Sequence, residues 1–230
     1  MNCYFLVEGR RTERKIYPAW IEALFPSLQR ISYAYHVSEN NYYLLSGGGQ
    51  PSILNHLVNA INEVNEIKKF NKLILVMDAE DNTVSELHQV IKNHLKNKGI
   101  DKSTFFAEFI LIVQNRTIET WLLGNRKLFK RNPINSELSR YISFYNVSDH
   151  DPELMGRFET FSTHAAFHEQ YLKLIFLERN IRYSKKNPGE ALKIEYYHAL
   201  CDRVLKEPDD LKSFQALQQL FDEIKNKLIQ

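Results

Sequence analysis

The chain has 230 residues, of which 43% are hydrophobic and 25% are charged, a balance typical of a globular protein rather than a disordered one. Its 30 basic and 28 acidic residues leave a formal net charge of +2, which neither indicates nor excludes a nucleic-acid partner. No segment approaches the roughly 20 apolar residues that span a bilayer, and the first apolar run, "NCYFLVEG", is too short for a signal peptide and ends in charge. We therefore expect a cytoplasmic protein without membrane contact.

The first third of the chain predicts alternating strands and helices. The apolar run "CYFLV" predicts a buried strand. The spacing in "TERKIYPAWIEALFP" predicts a helix capped by Thr12, although Pro18 favours a start as late as Tyr17. "ISYAYHVSE" predicts a second strand, "NYYLLSGGGQPS" follows with a glycine-rich loop, and a helix capped by Ser52 comes next.

Two further apolar runs extend this pattern. "KLILVMDAEDN" predicts a strand covered on both faces, and "TVSELHQVIKNHLKNKG" predicts an amphipathic helix that ends at Gly99. "FFAEFILIVQ" predicts another buried strand, and "RTIETWLLGN" predicts the start of a helix. The alternation indicates an α/β fold with a mainly parallel sheet flanked by helices.

The pattern changes near residue 130. "NPINSELSRYISFYNVSDHDP" is polar and predicts loops, whereas the remaining residues predict three helices. We therefore predict an α/β domain over residues 1–129 and a mostly helical C-terminal subdomain over residues 130–230.

Acidic residues follow three of the predicted strands. They are Glu8, Glu13, Asp78, Glu80, Asp81 and Glu119. Ligands of open α/β sheets bind at the carboxyl ends of the strands, and crowded carboxylates repel unless a cation lies between them. The pattern predicts Mg²⁺-assisted phosphoryl chemistry. The alternative is that each acid caps the next helix and complements its dipole.

Three short motifs resemble a TOPRIM domain, and most closely the RloB-like and OLD-like defence nucleases. They are "EGRRTE" at residues 8–13, "DAED" at residues 78–81 and "IETWLLGN" at residues 118–125. The resemblance covers residues 4–125 and implies a TOPRIM-like parallel sheet and a Mg²⁺- or Mn²⁺-dependent nuclease. The second motif of the family is Asp-x-Asp, so either Glu80 or Asp81 takes its last position here.

The resemblance also implies roles for individual residues. Glu8 would be a metal ligand or general base, and Asp78 and Glu80 would hold metal. Glu13, Asp81 and Glu119 are the further candidate metal ligands.

Two basic stretches are candidates for contact with nucleic acid. Arg10 and Arg11 lie in the first loop, where they could meet phosphates. Lys185 and Lys186 lie in "RNIRYSKKNPGE", and a lysine from this stretch, Lys185 in the first place, could stabilise the charge that develops on a scissile phosphate. A solvated loop is the alternative for both stretches.

Two other features have simpler interpretations. "SGGGQPS" precedes a helix and predicts a flexible connection, with contact to a substrate phosphate as the alternative. His164 and His168 have the i, i+4 spacing of metal ligands, but no third ligand is evident, so we expect core or surface histidines.

The resemblance finally implies partners. Defence proteins of this branch work beside an ABC- or AAA-type ATPase, and this chain has no Walker motif. We therefore expect the nuclease effector of an anti-phage system, with a separate ATPase, a DNA or RNA substrate such as tRNA, and a homodimer as a further option. The alternatives are a catalytically degenerate regulatory or binding subunit of an ATPase complex and a primase-like nucleotidyl transferase.

Overall fold

The secondary structure comes from a computed structural model that describes residues 1–229, except the side chain of Lys102. The strands are β1 (Cys3–Val7), β2 (Gln29–Ile31), β3 (Asn41–Ser46), β4 (Lys72–Asp78) and β5 (Glu108–Gln114). The helices are α1 (Glu13–Leu24), α2 (Ser52–Ile67), α3 (Val84–Asn97), α4 (Ile118–Leu122), α5 (Ser136–Phe144), α6 (His164–Leu177), α7 (Ile194–Lys206) and α8 (Lys212–Ile229). Among the described residues, none of these helices has the length and apolarity needed to cross a membrane.

The chain divides into two compact units that alternate along the sequence. The first unit comprises Met1–Met77, Val84–Val113 and the chain from Gln219 onward. The second comprises Asp78–Thr83 and Gln114–Gln218.

The first unit is built on a parallel sheet with the strand order β2-β3-β1-β4-β5. The central strand β1 pairs with β3 on one side and β4 on the other, so that Phe5 lies opposite both Leu44 and Ile74. All five residues of β1 are buried, as a continuous apolar run in a doubly covered sheet requires. The predicted α/β fold, with a parallel sheet flanked by helices and a helical C-terminal region, is confirmed.

The second predicted strand is wrong in position. "ISYAYHVSE" contributes only Ile31 to β2 and then forms a 3-10 turn at Ala34–His36. The residues "NYYLLS", predicted to belong to the following loop, form β3 instead. Tyr42 and Leu44 are buried on β3 and alternate with half-exposed Tyr43 and Leu45, which is the period of a strand.

The last predicted strand is correctly placed but less buried than expected. β5 lies at the edge of the sheet, where Glu108 is exposed and Phe109, Ile110 and Leu111 are only half-buried. An edge strand has one neighbour instead of two, which explains the difference.

The start of α1 differs from the late start that Pro18 favours. The helix begins at Glu13 rather than Tyr17, and Pro18 lies inside it. Thr12 occupies the N-cap position, but its side chain makes no capping hydrogen bond. Burial of Ile16, Trp20 and Ile21 on one face therefore outweighs the backbone hydrogen bond that the proline removes.

Two other helix starts also differ from expectation. Ser52 is the first residue of α2 and Pro51 occupies the N-cap position, so Ser52 is not the cap. The predicted loop after residue 130 contains α5, where the Asn135 side chain accepts a hydrogen bond of 2.9 Å from the Leu138 backbone. This cap stabilises a short helix that buries only Leu138 and Tyr141.

A buried lysine joins three elements of the first unit. Lys72, at the start of β4, has a side chain that is 2% exposed. Its ammonium group donates to Glu108 of β5 at 2.6 Å and to Glu223 of α8 at 2.9 Å. Burial disfavours the charged form, but the two carboxylates outweigh this effect and raise the pKa of Lys72.

A buried arginine joins elements of the second unit in a similar way. The Arg203 guanidinium of α7 pairs with Asp210 at 2.7 Å and donates to the backbone oxygens of Val147 at 2.7 Å and His150 at 2.8 Å. One side chain therefore links α7 to the loop after α5. Its charge-assisted hydrogen bonds replace the hydrogen bonds to water that the guanidinium loses on burial.

The second unit also contains a buried histidine. His168 of α6 is fully buried, and its Nδ1 lies 2.8 Å from Thr120 Oγ1. Burial, together with the neighbouring His164, lowers the pKa of His168 to about 3. The folded protein therefore keeps this ring neutral at pH values where the unfolded chain protonates it.

We expect His168 to make stability depend on pH. The unfolded ring binds a proton near pH 6.5 and the folded ring does not, so acidification favours the unfolded state. Between pH 6.5 and 5 this linkage removes roughly 2 kcal/mol from the free energy of unfolding. Urea titrations at several pH values should show a smaller loss for His168→Gln than for wild type. The exposed control His36→Gln should behave as wild type, and equal losses in all three proteins would contradict the prediction.

Candidate functional site

The backbone of Glu8 is held from both sides at the end of the central strand. Its N–H donates to the Val76 carbonyl of β4 at 3.0 Å, and its carbonyl accepts from the Gly49 N–H, beyond β3, at 3.1 Å. The residue is only 7% exposed. Because β4 and the loop after β3 each contribute a hydrogen bond, Glu8 has little freedom to move along or across the sheet.

The side chain of Glu13 lies against the loop that follows Glu8. It is the first residue of α1 and is 5% exposed. A Cβ atom on Gly9 would lie 1.8 Å from the Glu13 Oε2 atom, so the carboxylate occupies space that any other residue at position 9 would fill. The motif "EGRRTE" therefore contains two buried glutamates, and the carboxylate of the second lies against Gly9.

The loop after β1 also lies against the glycine-rich loop after β3. Ser46 Oγ donates to the Gly9 carbonyl at 2.9 Å. The guanidinium of Arg10 lies so close to Gly48 that a Cβ there would be 2.6 Å from its Nη2 atom, and Gly48 has a φ of +76°. Arg10 and Arg11 are both exposed. An exposed guanidinium beside glycine backbone is suited to contact a phosphate.

In the second unit, the acids of "DAED" lie on a strained turn. Asp78 is half-buried, whereas Glu80 and Asp81 are exposed. The Glu80 N–H donates to the Arg116 carbonyl at 2.9 Å, and the Arg116 guanidinium donates to the Glu80 carbonyl at 3.0 Å. Glu80 and Arg116 have φ values of 51° and 69°, a conformation that costs of order 1–3 kcal/mol each. Such strain is common at functional sites.

Asp81 pairs with a histidine of α6. The Asp81 Oδ1 atom lies 2.5 Å from His164 Nδ1. This hydrogen bond is the main reason that the pKa of Asp81 is lowered, with smaller contributions from Arg116 and Arg157. The Asp81 side chain is 62% exposed, so solvent screens the ion pair.

Glu119 is buried in the short helix α4. It is 1% exposed, and its Oε1 atom accepts a hydrogen bond of 2.8 Å from the hydroxyl of Tyr183, which is 6% exposed. Tyr183 thus belongs to the core of the second unit rather than to an exposed face of the basic stretch.

The two candidate lysines differ in their surroundings. Lys185 is half-buried, and its Nζ atom lies 3.4 Å from Glu169, whose carboxylate also bonds Lys173. Lys186 is exposed. The predicted site residues therefore fall into two groups. The first unit holds Glu8, Arg10, Arg11 and Glu13, and the second holds Asp78, Glu80, Asp81, Glu119, Lys185 and Lys186.

Sequence analysis missed an exposed aromatic cluster in the first unit. The rings of Tyr33 and Tyr35 stack with centroids 5.5 Å apart, and His36 lies 4.5 Å from Tyr35. The tyrosines are 55% and 66% exposed. The alternation in "SYAYH" predicts a strand, although the same spacing also permits a turn that exposes its rings. Nucleic-acid bases stack on surfaces of this kind.

The acids of the first unit are of the chemical type that binds a hard divalent cation. Mg²⁺ commonly uses one or two protein carboxylates and takes its remaining ligands from water and phosphate oxygens. Over the described chain, no group of three or more His, Cys, Asp or Glu side chains that could hold a metal ion is found.

No protein-family model, curated protein or solved structure matches the chain.

We expect Tyr183→Phe to destabilise the second unit. The substitution keeps the ring but removes the hydroxyl that donates to the buried Glu119 carboxylate, at a cost of about 1–3 kcal/mol. Chemical denaturation of the purified variant measures this cost. The control Tyr35→Phe removes an exposed hydroxyl and should leave stability within error of wild type. A Tyr183→Phe protein as stable as wild type would contradict the assigned hydrogen bond.

Proposed function

We propose that the chain is a nuclease that uses Mg²⁺ or Mn²⁺ to cleave phosphodiester bonds of DNA or RNA. The observation that carries the proposal is the burial of two glutamates at the end of the central strand: Glu8 directly before Gly9, and Glu13, whose carboxylate lies against Gly9. Carboxylates are the ligands that hard divalent cations prefer, and the sheet holds the backbone of Glu8 in place. The resemblance of "EGRRTE" to the first TOPRIM motif supports the same assignment.

The residues of the first unit position the substrate phosphate and accept the proton of the attacking oxygen. A bound cation would neutralise charge on the phosphate and bring it to this edge of the sheet. Glu8 takes the proton of the attacking oxygen, which belongs to water or to a ribose hydroxyl, while the bond from phosphorus to the leaving oxygen breaks. Arg10 contacts the phosphate oxygens from the loop beside Gly48.

The second unit holds the remaining candidates, considered by themselves. Asp78 and Glu80 would be metal ligands by their resemblance to the second TOPRIM motif, with Asp81 as the alternative to Glu80. Glu119 is the further acidic candidate of this unit, and Lys185 is its candidate to stabilise the charge on a phosphate. The strain at Glu80 supports a functional role for this turn.

The substrate and the setting of the reaction are part of the same proposal. The stacked Tyr33 and Tyr35 support a nucleic acid with unpaired bases, because exposed rings bind bases without regard to sequence. The likeness to the RloB-like and OLD-like branch supports an effector of anti-phage defence that works with a separate ABC- or AAA-type ATPase.

We expect Glu8→Gln to abolish cleavage. The amide keeps the size of the side chain but neither accepts the proton nor binds a cation well, and loss of a general base alone costs about 10²–10⁴-fold. The assay follows plasmid DNA, single-stranded DNA and tRNA with Mn²⁺. Glu39→Gln, an exposed site outside the predicted set, should cleave as wild type. Equal cleavage by Glu8→Gln and wild type would overturn the proposal.

We expect Gly9→Ala to weaken binding of Mn²⁺ more than tenfold. The added methyl group overlaps the Glu13 carboxylate and forces it away from the loop. Isothermal titration calorimetry with Mn²⁺ measures the affinity, and circular dichroism verifies the fold. In the control Gly156→Ala, the nearest atom to the new methyl group is 3.9 Å away, so binding should be unchanged. Unaltered binding by folded Gly9→Ala would exclude Glu13 as a ligand.

A further inference from the structure

The open edge of the sheet in the first unit borders a large groove. β5 is the last strand of the sheet, and a groove of about 1120 Å³ lies between it and α3. Its apolar part is formed by Ile91 and Leu95 of α3 and by Phe109, Ile110 and Leu111 of β5. Three consecutive half-buried apolar residues on an edge strand are unusual, because proteins commonly protect such edges with charge.

The backbone of β5 offers unused pairing positions along this groove. The Glu108 N–H donates to Asn71 beside β4 at 3.0 Å, so Glu108 and the alternate residues after it pair towards β4. Phe109 and Leu111 consequently direct their N–H and C=O groups to the opposite side. No described strand pairs with β5 there. These two residues offer two donors and two acceptors to an added strand.

The rim of the groove is basic. Lys92 and Lys96 are exposed on α3, one turn apart, and His88 precedes them by another turn. Among the described residues that line the groove, Asp101 is the one acid, and it accepts hydrogen bonds from the Ser103 N–H at 2.8 Å and Oγ at 2.6 Å. An occupant that matches this rim carries negative charge.

We propose that this groove binds an extended segment of a partner protein in which pairs of apolar residues alternate with pairs of acidic residues, and which pairs with β5 as an additional strand. Each face of such a strand carries both types of side chain. On the face towards α3, the apolar side chains enter the space against Leu95 and Phe109, and the acidic ones meet Lys92 and Lys96. Backbone pairing supplies affinity and the alternating side chains supply specificity. A second copy of β5 matches less well, because its one acidic residue, Glu108, already pairs with Lys72.

Binding of model peptides to the full chain tests this proposal. A fluorescein-labelled peptide in which Val-Val and Glu-Glu pairs alternate should bind saturably in an anisotropy titration. The same peptide with Lys in place of Glu should bind at least tenfold more weakly. An acidic peptide with alternate backbone nitrogens methylated should lose binding to a similar extent, because it cannot donate to β5. Equal binding of the acidic and basic peptides, or no loss on methylation, would overturn the proposal.

Variants of the chain complete the test. The double substitution Lys92→Glu and Lys96→Glu lies on an exposed helix face and should weaken binding of the acidic peptide at least tenfold. The matched control, Lys225→Glu with Lys227→Glu on α8, should bind as wild type. Sedimentation equilibrium addresses self-association. A dimer that Ile110→Asp dissociates and the Lys92 and Lys96 changes leave intact would assign the groove to a second copy and overturn the proposal.

Discussion

The pairing of β1 on both of its edges is the constraint on which the first unit depends. A strand with neighbours on both sides and cover on both faces leaves its backbone no alternative partners, so its register is fixed. The constraint continues one residue past the strand, where β4 and the loop after β3 both bond the backbone of Glu8. A carboxylate on such a support is positioned by the core of the protein rather than by a flexible loop.

Buried charged side chains position elements in both units. Lys72 and Arg203 are each surrounded by carboxylates and carbonyls, so their charges are balanced within the fold. Such groups position elements but contribute little net stability, because removing a charge from water is costly. Glu8 and Glu13 are also buried, on either side of Gly9 in the sequence, and the Glu13 carboxylate lies against that glycine.

Continuous apolar runs made much of the fold predictable. β1 and β4 are predictable as continuous apolar runs, and α3 is predictable because its apolar residues follow the helical period. β3 was missed because three glycines follow it, and α5 because it buries only two residues. The local motif "EGRRTE" identified Glu8 and Glu13 as candidates together. The contacts of Asp81 with His164 and of Glu119 with Tyr183 join residues 83 and 64 positions apart, and no local pattern encodes such distances.

The packing of α8 on the sheet affects how the chain folds while it is being synthesised. Phe221 of α8 packs on Phe25, with ring centroids 5.5 Å apart, and Glu223 of the same helix neutralises Lys72. The sheet therefore emerges from the ribosome long before the residues that finish its core and balance its buried ammonium group. Until α8 is synthesised, the nascent sheet has an incomplete apolar surface, and this interval is when a chaperone would have most to protect.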